Sequence, residues 1–563
     1  MNEQRIAWHG RLTLAVLLLT IATGCALCER DTKGKGKAAS ATFGQLVPAD
    51  VDAAFFTADL KEIRGGLQVI DRTFGKQMPV DAMLGGLKTQ FGIDPRDVPG
   101  MKQKGIRTSS GLGVVLRQKS AVLLVPVESA TAFENYLTSV ARDRFGGAEQ
   151  PQSHQAQELT LKVAVTKEGA KSIMAWCIKD GVALIYPGKL MGANEGDPQV
   201  SLTAHLTAAK ARALAGEADF KTLQERLTTQ GYPIFGVVNL PTLVGRRADE
   251  LGEYIHSKDA AESYRKLAKD LGLAGLGLKV EDKGAQLQLH MLARGEAHKR
   301  AEATARALAA GDALAPTLAG EPAFGLKLAI NPEKSLDELR KLMGDDMMLL
   351  QSALETLKKN FKLDLEQTLK ASLDGNIIMA TYDFPAILLR RTSMATLMTK
   401  TRTSFSMGLK DRAALITALD QVVANAGGFV KREDDGQVAI FVFADDEPLA
   451  TLAVGQKVAV LGSTRIERAE LLKLVKGQGA GPKGVLASAP AADLLGGDTH
   501  SGIFLDPSII QRNMGSMIPA GQIDMVGPIV FKAHNEPTGP TLMLDVVFNP
   551  PAAGTPTQDQ KQK

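Results

Sequence analysis

The feature that most constrains this chain is that one order of elements runs through it twice. A strand-like run, Ala53–Leu60 (AAFFTADL), opens the first copy, and Ala323–Ile330 (AFGLKLAI) opens the second. A helical stretch follows each, ending in Phe91-Gly92-Ile93-Asp94 in one copy and Phe361-Lys362-Leu363-Asp364 in the other. Next come a glycine-containing strand, Gly111–Leu116 against Gly375–Tyr382, and another strand, Ala121–Val127 against Ser404–Leu409. Both copies then carry an amphipathic helix, with Phe133, Tyr136, Leu137 and Val140 after Ser129, and Leu415, Leu419, Val422 and Val423 after Asp411. Spacings of three and four put these apolar groups on one face, and Ser129 and Asp411 offer an oxygen to the first free N–H groups. Asp94 and Asp364 stand at matching places and are expected to cap the following helix or turn.

Three strand-like runs follow in each copy. They are Leu159–Val165, Ile173–Ile178 and Val182–Tyr186, against Val438–Phe443, Leu449–Val454 and Val458–Leu461. A smaller unit also recurs: Ile234–Pro241 (IFGVVNLP) matches Gly502–Pro507 (GIFLDP). Each leads to a pair of strands, Leu276–Val280 with Ala285–Leu292, and Pro528–Ala533 with Leu542–Phe548. Leu287, Leu289 and Met291 alternate with polar residues, which predicts one buried and one wet face. Turn sequences Asp282-Lys283-Gly284 and Asp434-Asp435-Gly436 predict antiparallel neighbours. The helical region Thr203–Arg226 joins strands within the first copy, and the Gly/Pro-rich run Lys476–Gly484 is a loop. The expected fold is α+β: two tandem related halves, 44–296 and 321–548, each an antiparallel sheet with helices packed on one face. A helical connector, 297–320, joins them.

The ends of the chain read differently. Arg5 and Arg11 precede an apolar run, Leu12–Ala22, that is too short to cross ~30 Å of hydrocarbon, and Thr23-Gly24 leads into Cys25. A small residue before a cysteine at the end of such a run resembles the lipobox of bacterial lipoproteins, although Ala22 stands where leucine is usual. The resemblance implies a signal peptide over residues 1–24, a diacylglyceryl thioether on Cys25, and cleavage that makes Cys25 the new N-terminus. Ala22-Thr23-Gly24 also meets the small-x-small rule of ordinary secretory cleavage. Residues 25–43, rich in Lys, Gly, Ala and Ser, are expected to form a flexible tether, and 549–563 a disordered tail. Ala26 takes the place of the aspartate that holds similar Gram-negative lipoproteins at the inner membrane, which favours the outer one. The body is similar to uncharacterised exported bacterial proteins whose duplicated units open on a Pro-Ala-Asp segment, here Pro48-Ala49-Asp50.

Composition excludes more than it selects. A net charge of +4 over 563 residues is no nucleic-acid footprint, which is dense and one-sided. Of three cysteines, Cys177 lies in the apolar run Ile173–Ile178 and is expected to be buried and inert. A bridge from Cys28 to Cys177 would pin the body beside its own anchor. The eight histidines are scattered singly, without a zinc-type spacing. His290 falls on the polar parity of its strand, which predicts exposure. No Gly-x-Ser-x-Gly elbow, phosphate loop or dinucleotide fingerprint is present, and the adjacent pairs Asp345-Asp346, Asp434-Asp435 and Asp445-Asp446 read as solvated loop charges.

Methionines crowd the second copy: Met343, Met347, Met348, Met379, Met394, Met398, Met407, Met514, Met517 and Met525. Flexible thioethers suit an adaptable apolar groove as well as core filling. Arg390, Arg391, Lys400 and Arg402 make a small basic patch beside them. The expectation is an envelope lipoprotein held in the membrane through Cys25, facing the periplasm, with no catalytic residue, metal or cofactor. It would serve as an interaction or scaffold module for envelope proteins, or alternatively carry lipid or another hydrophobic ligand in a groove between sheet and helices.

Overall fold

The computed structural model describes residues 43–57, 59–74, 87–118, 120–169, 171–188, 196–246, 268–299, 322–330, 362–383, 399–444, 448–478, 501–509 and 526–548. It also describes single positions at 262, 265, 266, 314, 317, 318, 332, 355 and 358–360. The signal segment with Cys25, residues 25–42 of the tether, the tail and most of the connector lie outside these residues; Phe43, expected to end the flexible tether, is instead buried in the first unit's core, because its ring stacks on Phe56. The described residues divide into two compact units. One runs to residue 299 and includes Thr538–Thr541; the other holds the rest of the chain to residue 548.

The first unit begins with β1 (Ala53–Thr57), α1 (Leu60–Phe74), a π-turn at Leu87–Phe91, and α2 (Val98–Gln103). It continues with β2 (Gly113–Arg117), β3 (Ser120–Pro126), α3 (Ala130–Phe145), β4 (Gln152–Ala156), β5 (Leu159–Val165), β6 (Ser172–Lys179) and β7 (Val182–Tyr186). Two helices, α4 (Pro198–Ala211) and α5 (Ala218–Thr229), precede β8 (Ile234–Asn239), β9 (Leu271–Glu281) and β10 (Gly284–Ala293). The strands pair antiparallel in the order β4-β5-β6-β7-β3-β2-β1-β8-β9-β10. Asp180 and Gly181, at φ 52° and 74°, form the two-residue hairpin between β6 and β7, a left-handed pair that suits Asp-Gly.

The second unit comprises β11 (Phe324–Ala329), α6 (Leu365–Ser372), β12 (Leu373–Thr381), β13 (Thr403–Leu409) and α7 (Arg412–Asn425). Then come β14 (Val430–Asp435), β15 (Val438–Ala444), β16 (Pro448–Val454), β17 (Val458–Ser463), α8 (Arg468–Val475), β18 (Ser501–Leu505), β19 (Val526–Glu536) and β20 (Gly539–Phe548). Its order is β14-β15-β16-β17-β13-β12-β11-β18-β19-β20, the order of the first unit position for position.

Individual bonds match as well. Asp52 donates its N–H to Leu116 O at 2.9 Å and accepts from Asn239 N at 2.8 Å; Ala323 donates to Thr381 O and accepts from Asp506 N, both at 2.8 Å. The carbonyl of Gly105 receives the N–H groups of Glu128 and Ser129, and that of Ser372 receives those of Lys410 and Asp411. Ser129 caps α3 through Ala132 N at 3.3 Å, and Asp411 caps α7 through Ala414 N at 3.0 Å. Asp364 caps α6 through Gln367 N, whereas Asp94 closes a turn through Arg96 N and leaves the cap of α2 to Asp97. Before each of those aspartates the chain turns left-handed, at Gly92 (φ 61°) and at Lys362 (φ 55°).

Four expectations are corrected. Helices lie on both faces rather than one, and the strands belong to one large antiparallel sheet rather than to a separate sheet in each half. In the second unit α8 packs with Ile440, Ala453 and Val460, while α7 packs with their neighbours Phe441, Leu452 and Ala459. The cause is visible in strands such as VAIFVFA, which are apolar at both parities and so must be covered twice. Second, the polar edge strands β4 (QSHQA) and β14 (VKREDD) carry no alternating signal and were not expected. Third, Thr203–Arg226 is two helices, parted by a 3-10 turn at Leu214–Gly216. Fourth, β10 is inverted: Gln288 and His290 are buried, and Leu287, Leu289 and Met291 are only half-buried.

The inversion of β10 leaves His290 and the Gln288 carbonyl oxygen hydrogen-bonded, while Gln288 Nε2 is buried with no hydrogen-bond partner among the described residues. His290 meets Thr541 Oγ1 at 2.6 Å through Nδ1 and Thr538 Oγ1 at 3.2 Å through Nε2. The Tyr232 hydroxyl lies 2.7 Å from Gln288 Oε1 and 2.6 Å from Gln286 Oε1. A buried polar side chain with such partners loses little relative to water.

Candidate functional site

A row of apolar side chains crosses the second unit's sheet on the face that carries α7. Phe531 of β19 stands opposite Ile503 of β18, Ile503 opposite Leu326 of β11, and Leu326 opposite Met379 of β12. Met379 then faces Phe405 of β13, Phe405 faces Leu461 of β17, and Leu461 faces Leu452 of β16. Directly opposed residues of antiparallel strands share a face, so the register alone makes this a continuous ladder. From β19 to β17 it spans five strand spacings, or ~24 Å.

This ladder is open. Ile503 is 42 % exposed and Phe531 37 %, while Leu326, Met379, Phe405 and Leu461 are half-buried; only at Leu452, under α7, does exposure fall to 6 %. Flanking rows widen it, with Phe324, Leu505 and Ile529 on one side and Leu328, Ile377 and Met407 on the other, all half-buried. None of these thirteen flanking and ladder positions ionises. A soluble surface rarely leaves so many contiguous apolar groups in water without a use for them.

The matching row of the first unit is closed over most of its length. Its positions are Leu276, Gly236, Phe55, Val114, Leu123, Ile185 and Trp176. Leu276 and Phe55 are half-buried, but Val114, Leu123, Ile185 and Trp176 fall to 8, 6, 1 and 0 %. On this face α3 lies beside β6 and α1 beside β9. Where the second unit has Ile503, the first has Gly236, and Phe55 lies across the gap: a Cβ there would come within 2.4 Å of its ring.

The opposite faces diverge in the other direction. In the first unit Phe56 anchors an aromatic cluster with Phe235 at 5.2 Å, Phe43 at 5.9 Å and Phe220 at 6.4 Å between ring centres. Each buried phenyl contributes ~1.5–3 kcal/mol. The second unit puts Lys327 where Phe56 stands and Gly502 where Phe235 stands, and Gly502 lies between Lys327 and Lys532. Both lysines are 3 % exposed, and Lys532 Nζ meets Asp545 Oδ2 at 2.8 Å.

The residues singled out from sequence do not converge on a reaction centre. Cys25 and Cys28, the pairs Asp345-Asp346 and Asp445-Asp446, Arg390-Arg391 and most of the methionines lie outside the described residues. Met379 and Met407 sit on the open face. Cys177 is a free, buried thiol whose pKa burial pushes up to about 12. Arg402 pairs with Glu470 and stacks over Tyr382 at 5.1 Å, and Lys400 of the same patch is exposed. Asp434 is an exposed partner of Arg432 at 3.2 Å. His290, expected on the surface, is fully buried, and His205 is 3 % exposed with Nε2 at 3.0 Å from Leu46 O. Burial lowers the His205 pKa to about 4, so the ring is neutral and donates to that carbonyl. Arg117 grips Asp50 through two bonds, of 2.9 and 2.7 Å, and holds its carboxyl below the usual range.

Among the described residues no three His, Cys, Asp or Glu side chains gather as a metal site. A shallow polar concavity between α2 and α3 is lined by Asp97, Gln103, Lys104, Asn135, Tyr136 and Ser139. It brings Lys104 Nζ over the Tyr136 ring at 5.7 Å but holds no nucleophile beside a base. The open face was legible only in part: the Met-rich composition hinted at it, but the ladder depends on register between strands far apart in sequence.

No family model matches this chain, and no curated protein does. Solved structures of TP0453 are similar over part of it. Crystal form I covers 44% of this chain and 77% of its own at 12% identity and a TM-score of 0.22; crystal form III covers 44% and 78% at 11% and 0.23. Likeness at that level carries no argument about fold or function. None of the described helices is long and apolar enough to cross a membrane.

Proposed function

We propose that this protein is a lipid-anchored envelope module without a catalytic centre, whose second unit holds an apolar surface of another molecule against its open sheet face. The observation that carries this reading is the ladder from Phe531 to Phe405, with Ile503 and Phe531 exposed and Met379 and Phe405 half-buried where their counterparts Val114 and Leu123 in the first unit are buried. The anchor would be the thioether on Cys25, with the tether of residues 25–42 setting the body's distance from the membrane, and Ala26 favours the outer one. On this reading the two units are copies of one ancestral unit. Identical strand order, matched backbone bonds at Asp52 and Ala323, and matched caps at Ser129 and Asp411 support that descent. The first copy then serves as the folded support, and the second has exchanged a covered face for a binding one.

A carrier of lipid is the second reading, favoured by Met379 and Met407, whose unbranched thioethers adapt to flexible chains. The two readings share a first test. Binding of an environment-sensitive apolar dye is measured for the wild type and for Ile503→Asp/Phe531→Asp, with Trp176 fluorescence as the folding control. Dye binding that falls at least tenfold in the folded variant supports the open face as a binding surface; equal binding by both proteins removes it. Native mass spectrometry of the purified chain then separates the readings, since a carrier yields a discrete lipid mass and an interaction module yields the bare chain.

A further inference from the structure

We infer that two copies of this chain associate edge to edge, each adding its β14 to the other's as an antiparallel strand. This association involves neither the open face nor Cys25. β14 is the outermost strand of the second unit, paired with β15 alone among the described strands. Lys431, Arg432, Glu433 and Asp434 are exposed at both parities, so solvent reaches the strand from both faces. The backbone of this edge is open as well. Phe429 O accepts the N–H of Ala444 at 2.9 Å, and Asp435 pairs with Val438 across the turn Gly436-Gln437. Inward bonding therefore falls on Phe429, Lys431, Glu433 and Asp435, and alternation turns the N–H and C=O groups of Val430, Arg432 and Asp434 outward. β14 holds neither a proline nor a bulge, two of the devices that stop an edge from pairing. Charge is the device that guards it, and charge fails against the same strand reversed.

Along VKREDD the cations Lys431 and Arg432 precede the anions Glu433, Asp434 and Asp435, an order that complements itself in an antiparallel copy. Only outward-facing residues exchange backbone bonds, so the register must keep parity. One such register sets Arg432 opposite Asp434, where the backbone bonds form, and Lys431 opposite Asp435, each pair occurring twice about the two-fold axis. Opposite charges directly across stabilise strand pairing, and like charges oppose it. The like pair is Glu433 on its own copy, and each Glu433 is already bound to Arg468 of α8. Moving the partner by two residues opposes Arg432 to its own copy in one direction and Asp434 to its own copy in the other. In the favoured register the exposed Phe429 lies across from the partner's Gln437 and gains cover there. The matching edge of the first unit, β4 (QSHQA), carries no carboxylate and lacks the pattern. A single strand edge buries less than a standard interface, so the dimer is weak and reversible.

Sedimentation velocity of the full chain over a concentration series measures the association, with Lys431→Glu and Asp435→Lys as variants and urea melts as the folding control. The wild type is expected to dimerise reversibly, and either variant alone to do so at least tenfold more weakly. Mixing the two variants should restore the dimer, because cation then meets anion at both ends of the pairing. A second measurement reads the register in a chain whose Cys25 and Cys28 are replaced by serine. Glu433→Cys lies on the axis in a non-hydrogen-bonded pair and should cross-link to its own copy on mild oxidation. Lys431→Cys, ~13 Å from its own copy, should not. A wild type that stays monomeric, variants that associate as strongly as the wild type, or a mixture that fails to recover overturns the proposal. Cross-linking through Lys431→Cys but not through Glu433→Cys overturns it too.

Discussion

The two units solve one topology with opposite distributions of polarity. The first buries aromatic side chains on its α4 and α5 face and closes most of the other; the second buries Lys327, Lys532 and Asp545 on the corresponding face and leaves its apolar ladder half-buried, with Ile503 and Phe531 exposed. Neither change alters the strand order, because order depends on backbone pairing, which both parities share. What a strand's two faces carry is thus free to diverge once the ladder of hydrogen bonds is set. The closed unit is the one expected to hold the chain folded, and the open unit the one expected to act.

The largest effect should come from charging the same row in each unit. Leu123→Asp places an unpaired carboxylate at a 6 % exposed position and should destabilise the first unit by ~4 kcal/mol or more. Ile503→Asp, at 42 % exposure, should change stability by less than ~0.5 kcal/mol. Urea denaturation of the two variants measures both, and comparable losses would erase the contrast between the faces.

Next in size is the buried ion pair. Asp545→Ala leaves Lys532 charged and desolvated, at an expected cost of ~3–5 kcal/mol, whereas Lys532→Met/Asp545→Leu together should cost little or even stabilise. A double-mutant cycle by chemical denaturation reads the coupling. If Asp545→Ala were harmless, the polarity of that face would be incidental.

A somewhat smaller effect concerns pH. The His205 ring has a folded pKa of about 4 against 6.5 for the free side chain, so the unfolded chain binds more protons between those values. Its contribution, ~3 kcal/mol in full, is present above about pH 6.5 and drains as pH falls toward 4. Asp50, held low by Arg117, adds to the acid loss only below the usual carboxylate range. His205→Gln should flatten the stability profile between pH 4 and 6.5, as followed by urea melts across that interval; an unchanged slope would mean that His205 does not set it.

How much of this was readable beforehand follows from range. Caps and turns are local, so Ser129, Asp411 and the Asp-Lys-Gly hairpin were visible in the sequence, and so was the buried Cys177 within its apolar run. The matching order of strands was visible because local signals recur along the chain in the same sequence. His290 was misread because alternation says which residues share a face, not which face is covered, and its partners Thr538 and Thr541 lie about 250 residues away. The open ladder was invisible for a related reason: Leu326, Ile503 and Phe531 belong to strands brought together only by register. Polar edge strands β4 and β14 escaped because solvated strands need no apolar pattern.

The central claim is that the second unit's face is open where the first unit's is closed. Thiol labelling under native conditions tests it most directly, in a chain whose Cys25 and Cys28 are replaced by serine and whose remaining Cys177 is buried. Cysteine is introduced separately at Ile503 and at Leu123, and labelling by a maleimide is timed by mass spectrometry. The account predicts rapid, complete modification at 503 and protection at 123 until the chain is denatured. Equal protection at both positions would contradict it.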